Sequence, residues 1–217
     1  MGQLPFLSGH FGLDTYEALI HKAGFRLVAG ADEAGRGACA GPLVAAAVIL
    51  GPRVPDGLDD SKRLTPARRD ALYDAIHATA LAVAWVRVEA VDCDALGMQK
   101  ADLGALRDAI LALSVTPDFA VTDGFAVPGL PCPSLGMWKG DQVVQCVAAA
   151  SIVAKVTRDR IMNELDAAHP GYGFAVHKGY ATQQHQAALD AYGPCPQHRL
   201  SFRNVAGLDG ALELGAL

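Results

Sequence analysis

The sequence lacks the features that mark membrane proteins, disulfide-rich proteins and zinc ribbons. No apolar run approaches the roughly 20 residues that a membrane-spanning helix needs, since the richest stretch, residues 43–50, ends at Gly51 and Pro52. None of the five cysteines forms a C-x-x-C pair. We therefore expect a soluble, cytoplasmic protein with reduced thiols and without a secretory signal.

The chain also lacks an excess of basic residues. Its 18 Lys and Arg residues against 23 Asp and Glu residues give a formal net charge of −5. A nucleic-acid-binding domain usually has a basic surface, so the net charge argues weakly against a partner that is bound through global charge. It does not exclude one, because a catalytic cluster of carboxylates lowers the net charge while local Lys and Arg side chains still contact phosphates.

Apolar runs separated by turn residues predict an α/β protein. We expect strands over residues 27–31, 42–50, 82–89, 117–122 and 134–138. We expect helices over residues 65–80, 93–114, 141–169 and 182–192, with a short helix after Val205. This order predicts a single domain over residues 1–217, with a core over about 27–167 and a helical C-terminal part over about 168–217.

Four carboxylates stand where predicted strands end or a helix begins. Asp32 and Glu33 follow the first strand, Asp123 follows the fourth, and Asp141 starts the long helix. Ligands of α/β sheets collect at strand ends, and four carboxylates gathered there suit a hard divalent cation such as Mg²⁺ or Mn²⁺. Two such ions can activate a water and stabilise the leaving oxygen during hydrolysis of a phosphodiester.

Each carboxylate also has a simpler interpretation. Asp141 could cap the helix, Asp123 could belong to an Asp-Gly turn, and Asp32 with Glu33 could be solvated beside a glycine turn. Spacing along the sequence leaves these alternatives open.

Several other residues are candidates for substrate contacts. Gly35, Arg36 and Gly37 could form a phosphate loop or a plain turn, since neither G-x-G-x-x-G nor G-K-[ST] is present. Lys62 could contact a phosphate or lie in a polar loop. Tyr180 could be a stacking surface or a half-buried aromatic residue.

Three histidines show no metal-ligand spacing such as H-E-x-x-H. We expect His177, His185 and His198 to lie in loops or on helix surfaces.

Several long motifs, in order along the chain, resemble those of the type 2 ribonuclease H family, ribonuclease HII. They are GADEAGRG (30–37), GPLVAAAV (41–48), DSK (60–62), DG (123–124), KGD (139–141), AAASIVAKVTRD (148–159), HKGY (177–180) and HRLSF (198–202). The resemblance extends from about residue 27 to residue 205.

This resemblance implies a ribonuclease H-like mixed β-sheet flanked by helices, with a helical C-terminal extension. It implies a metal-dependent endoribonuclease acting on the RNA strand of RNA/DNA hybrids and on the phosphodiester 5′ to ribonucleotides embedded in duplex DNA. The mechanism we expect is hydrolysis with two Mg²⁺ or Mn²⁺ ions, in which a metal-bound water attacks in line and leaves 3′-hydroxyl and 5′-phosphate ends.

The resemblance also assigns roles to the candidate residues. The metal-binding catalytic positions of the family fall on Asp32, Glu33, Asp123 and Asp141. The loop that senses the ribose 2′-hydroxyl falls on Gly35, Arg36 and Gly37, and the tyrosine that packs at the RNA-to-DNA junction falls on Tyr180. We also expect Lys62 to neutralise a phosphate.

The chain departs from the family pattern at a few positions. The family commonly has Asn and Thr or Ser where this chain has Gly97 and Asp102, and often has Pro and a bulky residue in place of Ala38 and Cys39. These departures bear on local packing and on fine substrate preference.

Two other functions remain as alternatives. A phosphatase with Asp32 as nucleophile would need a second Asp two residues later, where Ala34 stands. A hybrid-binding module without activity would lack at least one of the four carboxylates, and all four are present.

Residues 3–7, Gln-Leu-Pro-Phe-Leu, are similar to the short peptides by which bacterial proteins bind the replication sliding clamp. A frayed N-terminus that packs its apolar residues onto the domain is the alternative. We expect no membrane association and a monomer in solution.

Overall fold

The computed structural model describes residues 13–206, which form a five-stranded sheet with helices on both faces. The strands are β1 (Val28–Ala34), β2 (Leu43–Ile49), β3 (Ala82–Val88), β4 (Phe119–Asp123) and β5 (Ser134–Met137). Their order across the sheet is β3-β2-β1-β4-β5. Strand β1 pairs antiparallel with β2 and parallel with β4, so the sheet is mixed, as expected.

The helices are α1 (Asp14–Lys22), α2 (Pro66–Thr79), α3 (Ala90–Leu96), α4 (Met98–Leu111), α5 (Gln145–Ala168), α6 (Phe174–His177) and α7 (Gln183–Tyr192). A 3₁₀ turn, Gly140–Gln142, precedes α5. Within residues 13–206, none of these helices combines the length and hydrophobicity required to cross a membrane.

Strand β2, which lies between β3 and β1, is buried along its whole length between two helices. Leu43, Ala45 and Ala47 pack on the side of α4, whereas Ala46 and Val48 pack on the side of α5. Side chains of a strand alternate between the two faces, so a continuous apolar run is what a strand covered on both faces requires.

Helix α5 approaches the sheet most closely at β1. A side chain at Gly30 would meet the backbone of α5, because its Cβ would lie 2.1 Å from the carbonyl carbon of Cys146. The alanines at the start of α5 are also fully buried. Small residues on both elements thus place the start of α5 directly beside β1.

Two of the predicted helices are corrected by the structure. The helix expected over residues 93–114 is divided into α3 and α4 at Gly97, whose φ of +78° interrupts the helical backbone. The long helix begins at Gln145 rather than at residue 141. The prediction for residues 65–80 is confirmed, with Thr65 Oγ1 accepting the Arg68 N–H at 3.3 Å. The short helix expected after Val205 lies largely outside the described residues.

Candidate active site

The carboxylates predicted from the sequence come together at the ends of β1 and β4. These strands are parallel neighbours, with Ala31 opposite Thr122, so Asp32 and Asp123 follow side by side. Asp32 and Glu33 lie within β1 and point to opposite faces, Asp32 towards α5 and Glu33 towards α4. Parallel strand pairing therefore builds the site from segments about 90 residues apart in sequence.

Asp141 reaches the same place from the 3₁₀ turn. It is buried, and it lies four residues before the start of α5. The interpretation of Asp141 as the cap of the long helix is therefore wrong, because Val144 occupies that position. The turn that carries Asp141 is fixed by the Gly140 N–H, which donates to Asp123 Oδ1 at 2.6 Å.

The pKa values of these carboxylates are raised, partly because the carboxylates lie close to one another. Burial raises the pKa of Asp32 well above its ordinary value, and the charges of Glu33 and Asp123 raise it further. Burial, followed by Asp102 and Asp123, raises the pKa of Glu33 to about 7. Burial, followed by Asp123, raises the pKa of Asp141 to about 6. The charge of Asp123 acts on every other member of the cluster, so Asp123 occupies its centre.

Lys62 is the cation nearest to this cluster on the side of Asp141. Its Nζ lies 3.9 Å from Asp141 Oδ2, and its side chain is 78% exposed. Partial burial lowers the pKa of Lys62, but the charges of Asp141 and Asp32 raise it more, so its net shift is upward. The loop before Lys62 is held by Asp60, which accepts the Lys62 N–H at 2.9 Å and the Gln142 side-chain amide at 3.2 Å.

A divalent cation fits the cluster by the chemistry of its donors. Carboxylate oxygens are hard ligands, and a dication would offset the mutual repulsion that raises these pKa values. Among the described residues, however, no three His, Cys, Asp or Glu side chains are grouped closely enough to enclose a metal ion. Asp32 Oδ1, for example, accepts the Glu33 N–H at 2.7 Å. The carboxylates therefore suit Mg²⁺ or Mn²⁺ by type and must rotate to surround it.

The predicted substrate residues line one cavity of about 440 Å³ beside the carboxylates. Its walls include Glu33, Gly35, Arg36, Gly37, Lys62 and Tyr180. Tyr180 is 41% exposed, and its ring faces the loop, with Cε1 3.9 Å from where a Cβ of Gly37 would lie. The glycine loop, the lysine and the tyrosine thus share a single opening.

Asp102, one of the departures from the family pattern, has a definite place in this site. Arg36 Nε lies 3.3 Å from Asp102 Oδ2, and the Arg36 guanidinium lies over the Phe125 ring at 5.2 Å. Asp102 is only 1% exposed, and its Oδ1 has no hydrogen-bond partner within residues 13–206. The departure therefore supplies a carboxylate that holds the Arg36 side chain against α4.

The three histidines are buried, so their expected place on helix surfaces is wrong for His177 in α6 and His185 in α7. His198 lies in a loop, as expected, but it is buried there. The Cys195 N–H donates to His198 Nδ1 at 2.9 Å, which leaves His198 Nε2 as the donor to His185 Nε2 at 3.0 Å. His185 Nδ1 then donates to the Tyr180 carbonyl at 3.0 Å. His177 accepts the Gly179 N–H at 3.2 Å. Together the rings fix the backbone that carries Tyr180.

Sequence reasoning also missed two arginines, Arg158 on α5 and Arg199 after α7. Both belong to motifs of the resemblance, yet neither was given a role. Their exposed fractions are 1% and 0%. A signal was present in the sequence, since Arg158 interrupts a long run of small and apolar residues in the buried part of α5.

A second, basic groove adjoins the site cavity and shares Lys155 with it. The groove has a volume of about 820 Å³. Its charged lining residues are Arg69, Lys155, Arg160, Lys178, Asp70 and Asp159. Four cations against two carboxylates make it locally basic on a chain whose net charge is −5.

The fold and the site geometry agree with a comparison at the level of sequence families. The sequence model of the family described as Ribonuclease HII matches residues 29–205, which include all four carboxylates, the glycine loop and Tyr180. The chain belongs to the ribonuclease HII family. The resemblance seen in the motifs is thereby confirmed.

Individual relatives agree with the assignment to ribonuclease HII. The Ribonuclease HII of Cutibacterium acnes is 61% identical over 193 residues, which cover 88% of this chain and 95% of the relative. The ribonuclease H2 of Pyrococcus horikoshii superposes with a TM-score of 0.73 at 25% identity, covering 87% of this chain and 99% of that one. The RNase HII of Archaeoglobus fulgidus, solved in a complex with PCNA, gives 0.71 at 25% identity, covering 82% and 96%.

Membership of the ribonuclease HII family establishes the general activity. The protein is a metal-dependent endoribonuclease that cleaves the RNA strand of RNA/DNA hybrids, and it requires a divalent cation. The phosphatase and the inactive binding module are both excluded by this assignment.

Proposed function

We propose that this protein hydrolyses the phosphodiester on the 5′ side of a ribonucleotide, in RNA/DNA hybrids and also where one ribonucleotide is embedded in duplex DNA. The observation that carries the proposal is the shared cavity. Glu33 of the carboxylate cluster and the loop of Gly35, Arg36 and Gly37 line the same opening as Tyr180. A single ribonucleotide in this cavity would meet the cleaving groups and the discriminating groups at once.

The four carboxylates are the proposed ligands of two divalent ions, Mg²⁺ or Mn²⁺. When bound, these ions supply an activated water and stabilise the leaving oxygen, which gives 3′-hydroxyl and 5′-phosphate ends. Asp32 and Asp123 would lie nearest to the scissile phosphate, with Glu33 and Asp141 completing the two sites. The opposite directions of Asp32 and Glu33 on β1, together with the charge of Asp123 that raises the pKa of both, support this division.

Other side chains would bind and select the substrate. Lys62 would neutralise a phosphate, because its ammonium group is exposed at the edge of the cluster. The glycine loop would read the 2′-hydroxyl, the group by which a protein distinguishes RNA from DNA, because glycines let the backbone approach closely. The Tyr180 ring would pack on the following sugar at the RNA-to-DNA junction.

The basic groove would carry the flanking duplex. It continues from the site cavity at Lys155, and its four cations outnumber its two carboxylates. Phosphate contacts of this kind contribute affinity without regard to the sugar.

We further propose a monomer that binds a bacterial sliding clamp through Gln3 to Leu7, a segment outside the described residues. The Archaeoglobus fulgidus relative in its complex with PCNA supports the idea of clamp binding. Calorimetry with a bacterial clamp should show binding by the unchanged chain and none by a Gln3→Ala/Leu4→Ala variant. Equal or absent binding in both would dismiss the proposal.

A cleavage assay tests the main proposal. The substrates are a DNA duplex with one ribonucleotide, the same duplex without it, and a long RNA/DNA hybrid, each with Mg²⁺, with Mn²⁺ or with EDTA. We expect metal-dependent cleavage 5′ to the single ribonucleotide and none of the all-DNA duplex. Cleavage of the long hybrid alone would contradict the proposal, as would cleavage on the 3′ side.

A further inference from the structure

The segment that contains the glycine loop is held from the inside by two buried arginines. We propose that Arg158 and Arg199 are positioning residues, which bind the carbonyl oxygens of residues 35–42 and so turn the N–H groups of Arg36 and Gly37 towards the substrate. The inference rests on the proposed role of this loop as the reader of the 2′-hydroxyl.

Arg199 binds both ends of the segment of residues 35–42, which contains the glycine loop. Its Nη1 donates to the Gly35 carbonyl at 2.8 Å and to the Arg36 carbonyl at 3.1 Å. Its Nη2 and Nε donate to the Gly41 carbonyl at 2.9 and 3.2 Å. The planar guanidinium thereby closes the loop, which a lysine with its single nitrogen cannot do in the same way.

Arg158 connects the same segment to the backbone near Tyr180. Its Nε donates to the Pro42 carbonyl at 2.9 Å and its Nη2 to the Ala40 carbonyl at 3.1 Å. Its Nη1 donates to the Lys178 carbonyl at 2.9 Å, and its guanidinium lies 5.7 Å from the Tyr180 ring centre. Arg158 therefore links the two segments, together with the N–H groups of Cys39 and Ala40, which donate to the Gly179 carbonyl at 2.9 and 3.2 Å.

The carbonyl groups that bind Arg199 determine the direction of the N–H groups of the glycine loop. With the Gly35 and Arg36 carbonyls bound to Arg199, the peptide groups that follow them point their N–H ends away from it, since the two ends of a planar peptide are opposed. Within residues 13–206, the N–H groups of Arg36 and Gly37 donate to no protein atom. They are the donors left for a ribose hydroxyl or a phosphate in the cavity.

The two guanidinium groups also have no carboxylate partner among the described residues. Burial, with Arg199 among the further causes, lowers the pKa of Arg158 to about 10, so it stays charged at neutral pH. Two buried cations without counter-ions create a positive potential beneath the loop, which favours a nearby phosphate. A salt-bridged pair would lose this potential.

The glycines of the loop meet different constraints. A Cβ at Gly35 would lie 1.9 Å from Arg158 Nε, and the φ of Gly35 is +90°. A Cβ at Gly37 would find no protein atom nearer than 3.9 Å, and its φ is not positive. The protein thus requires glycine at position 35 because of Arg158, whereas glycine at position 37 leaves room for the substrate.

The first test replaces each arginine by lysine, which keeps the charge but loses the fork of donors. We expect Arg158→Lys and Arg199→Lys to lower kcat/KM on the single-ribonucleotide duplex by about tenfold or more. The Kd for the all-DNA duplex should stay within about twofold, because that duplex gives the loop no hydroxyl to read. Arg87→Lys, an exposed arginine paired with Glu89, is the matched control and should change neither quantity.

A double-mutant comparison separates positioning from general stability. Gly35→Ala and Gly37→Ala are each measured alone and combined with Arg158→Ala. We expect the Gly35 and Arg158 substitutions to be non-additive, so that the double variant is no worse than the poorer single variant, because both disturb one contact. Gly37→Ala should multiply its effect with that of Arg158→Ala.

A third measurement uses the unchanged chain, so it remains decisive if the arginine variants do not fold. Amide hydrogen exchange at Arg36 and Gly37 should be fast without nucleic acid and slowed by the ribonucleotide duplex more than by the all-DNA duplex. Equal protection by both duplexes would overturn the proposal. So would lysine variants that melt earlier but cleave normally, or that lose affinity for both duplexes alike.

These results can be told apart from a failure of the proposed function. If the unchanged chain does not cleave the single-ribonucleotide duplex, the proposed function fails in that respect. The arginine variants are then compared on the long RNA/DNA hybrid, where the family activity provides the signal.

Discussion

The carboxylate cluster and the glycine loop are stabilised in opposite ways. The carboxylates are buried anions that repel one another, and strand pairing holds them together. The loop is uncharged backbone, and buried cations from distant parts of the chain hold its carbonyls. If the proposed roles hold, cleavage depends on groups fixed largely by the sheet, whereas recognition depends on groups fixed by α5 and the C-terminal segments. The two functions should therefore be separable by mutation.

The largest expected effect concerns cleavage alone. Asp123→Asn or Asp32→Asn should reduce cleavage at saturating Mg²⁺ to background, while affinity for duplex remains, because a neutral amide preserves shape but is a poor ligand for a hard cation. Asp118→Asn is the control, since Asp118 binds the backbone of Arg26 and Leu27 at the opposite end of β4. Near-native rates of cleavage in both site variants would contradict the assignment of Asp32 and Asp123 as metal ligands.

The next effect concerns recognition alone. Tyr180→Ala should lower kcat/KM on a single embedded ribonucleotide by about tenfold to a hundredfold, since an aromatic face packed on a nucleotide contributes about 1–3 kcal/mol. Tyr180→Phe should be milder. Tyr192→Ala removes another exposed aromatic ring that packs on Tyr172 and serves as the control. All variants are measured at one salt concentration. Unchanged cleavage by Tyr180→Ala would show that the ring has no part in substrate binding.

A pH titration tests the stability of the support beneath Tyr180. Burial, followed by the neighbouring His185, lowers the pKa of His198 to about 4 from an ordinary value near 6.5. The unfolded chain therefore binds the proton more readily, and the stabilising effect, complete above pH 6.5, is lost as the pH falls towards 4. We expect the contribution of His198 to the free energy of unfolding, measured with urea as the difference between the unchanged chain and His198→Gln, to fall by roughly 1–3 kcal/mol over this interval. The raised pKa values of Glu33 and Asp141 act in the opposite direction and are common to both chains, so they cancel in this difference.

The control for the pH titration is an exposed histidine. His77→Gln should leave the pH dependence unchanged, because His77 lies on the surface of α2. His198→Gln should remove the loss due to His198, so its free energy of unfolding relative to the unchanged chain should rise as the pH falls below 6.5. A profile that keeps its slope in the His198 variant would place the titration elsewhere.

The smallest effect is expected in the basic groove. Because it contacts phosphates, it should contribute the same affinity for duplexes with and without a ribonucleotide. Arg160→Ala should weaken binding to ribonucleotide-containing and all-DNA duplexes by the same factor of a few, and should reduce the slope of log K against log salt by about 1. Arg87→Ala breaks another exposed ion pair and controls for general charge. A loss confined to one of the two duplexes would contradict the assignment.

Much of the fold was predictable because the sheet is built from continuous apolar runs. Strand β2 is buried on both faces and therefore has no polar interruption between Leu43 and Ile49. The four carboxylates were predictable as a set, since parallel strand ends and the family motifs point to the same positions. The break at Gly97 was not, because the apolar spacing continues across it and only the backbone φ reveals two helices.

The support of the loop was unpredictable for a different reason. Arg199 binds Gly35 across 164 positions of sequence, and no local pattern encodes such a contact. The same holds for His185 and His198, whose polar rings gave no sign that α6, α7 and the following turn would bury them. Burial of a polar residue is decided by its distant partners, which spacing along the chain does not disclose.

The contact at Gly30 determines how stiff the reactive centre is. Because β1 and α5 pack backbone against backbone there, we expect the strand that carries Asp32 to move together with α5, a helix of 24 residues and about 36 Å. Motion at the edges of the sheet should therefore leave the distance between β1 and the start of α5 unchanged. The carboxylate side chains can then rotate around a bound ion while the backbone beneath them stays in place.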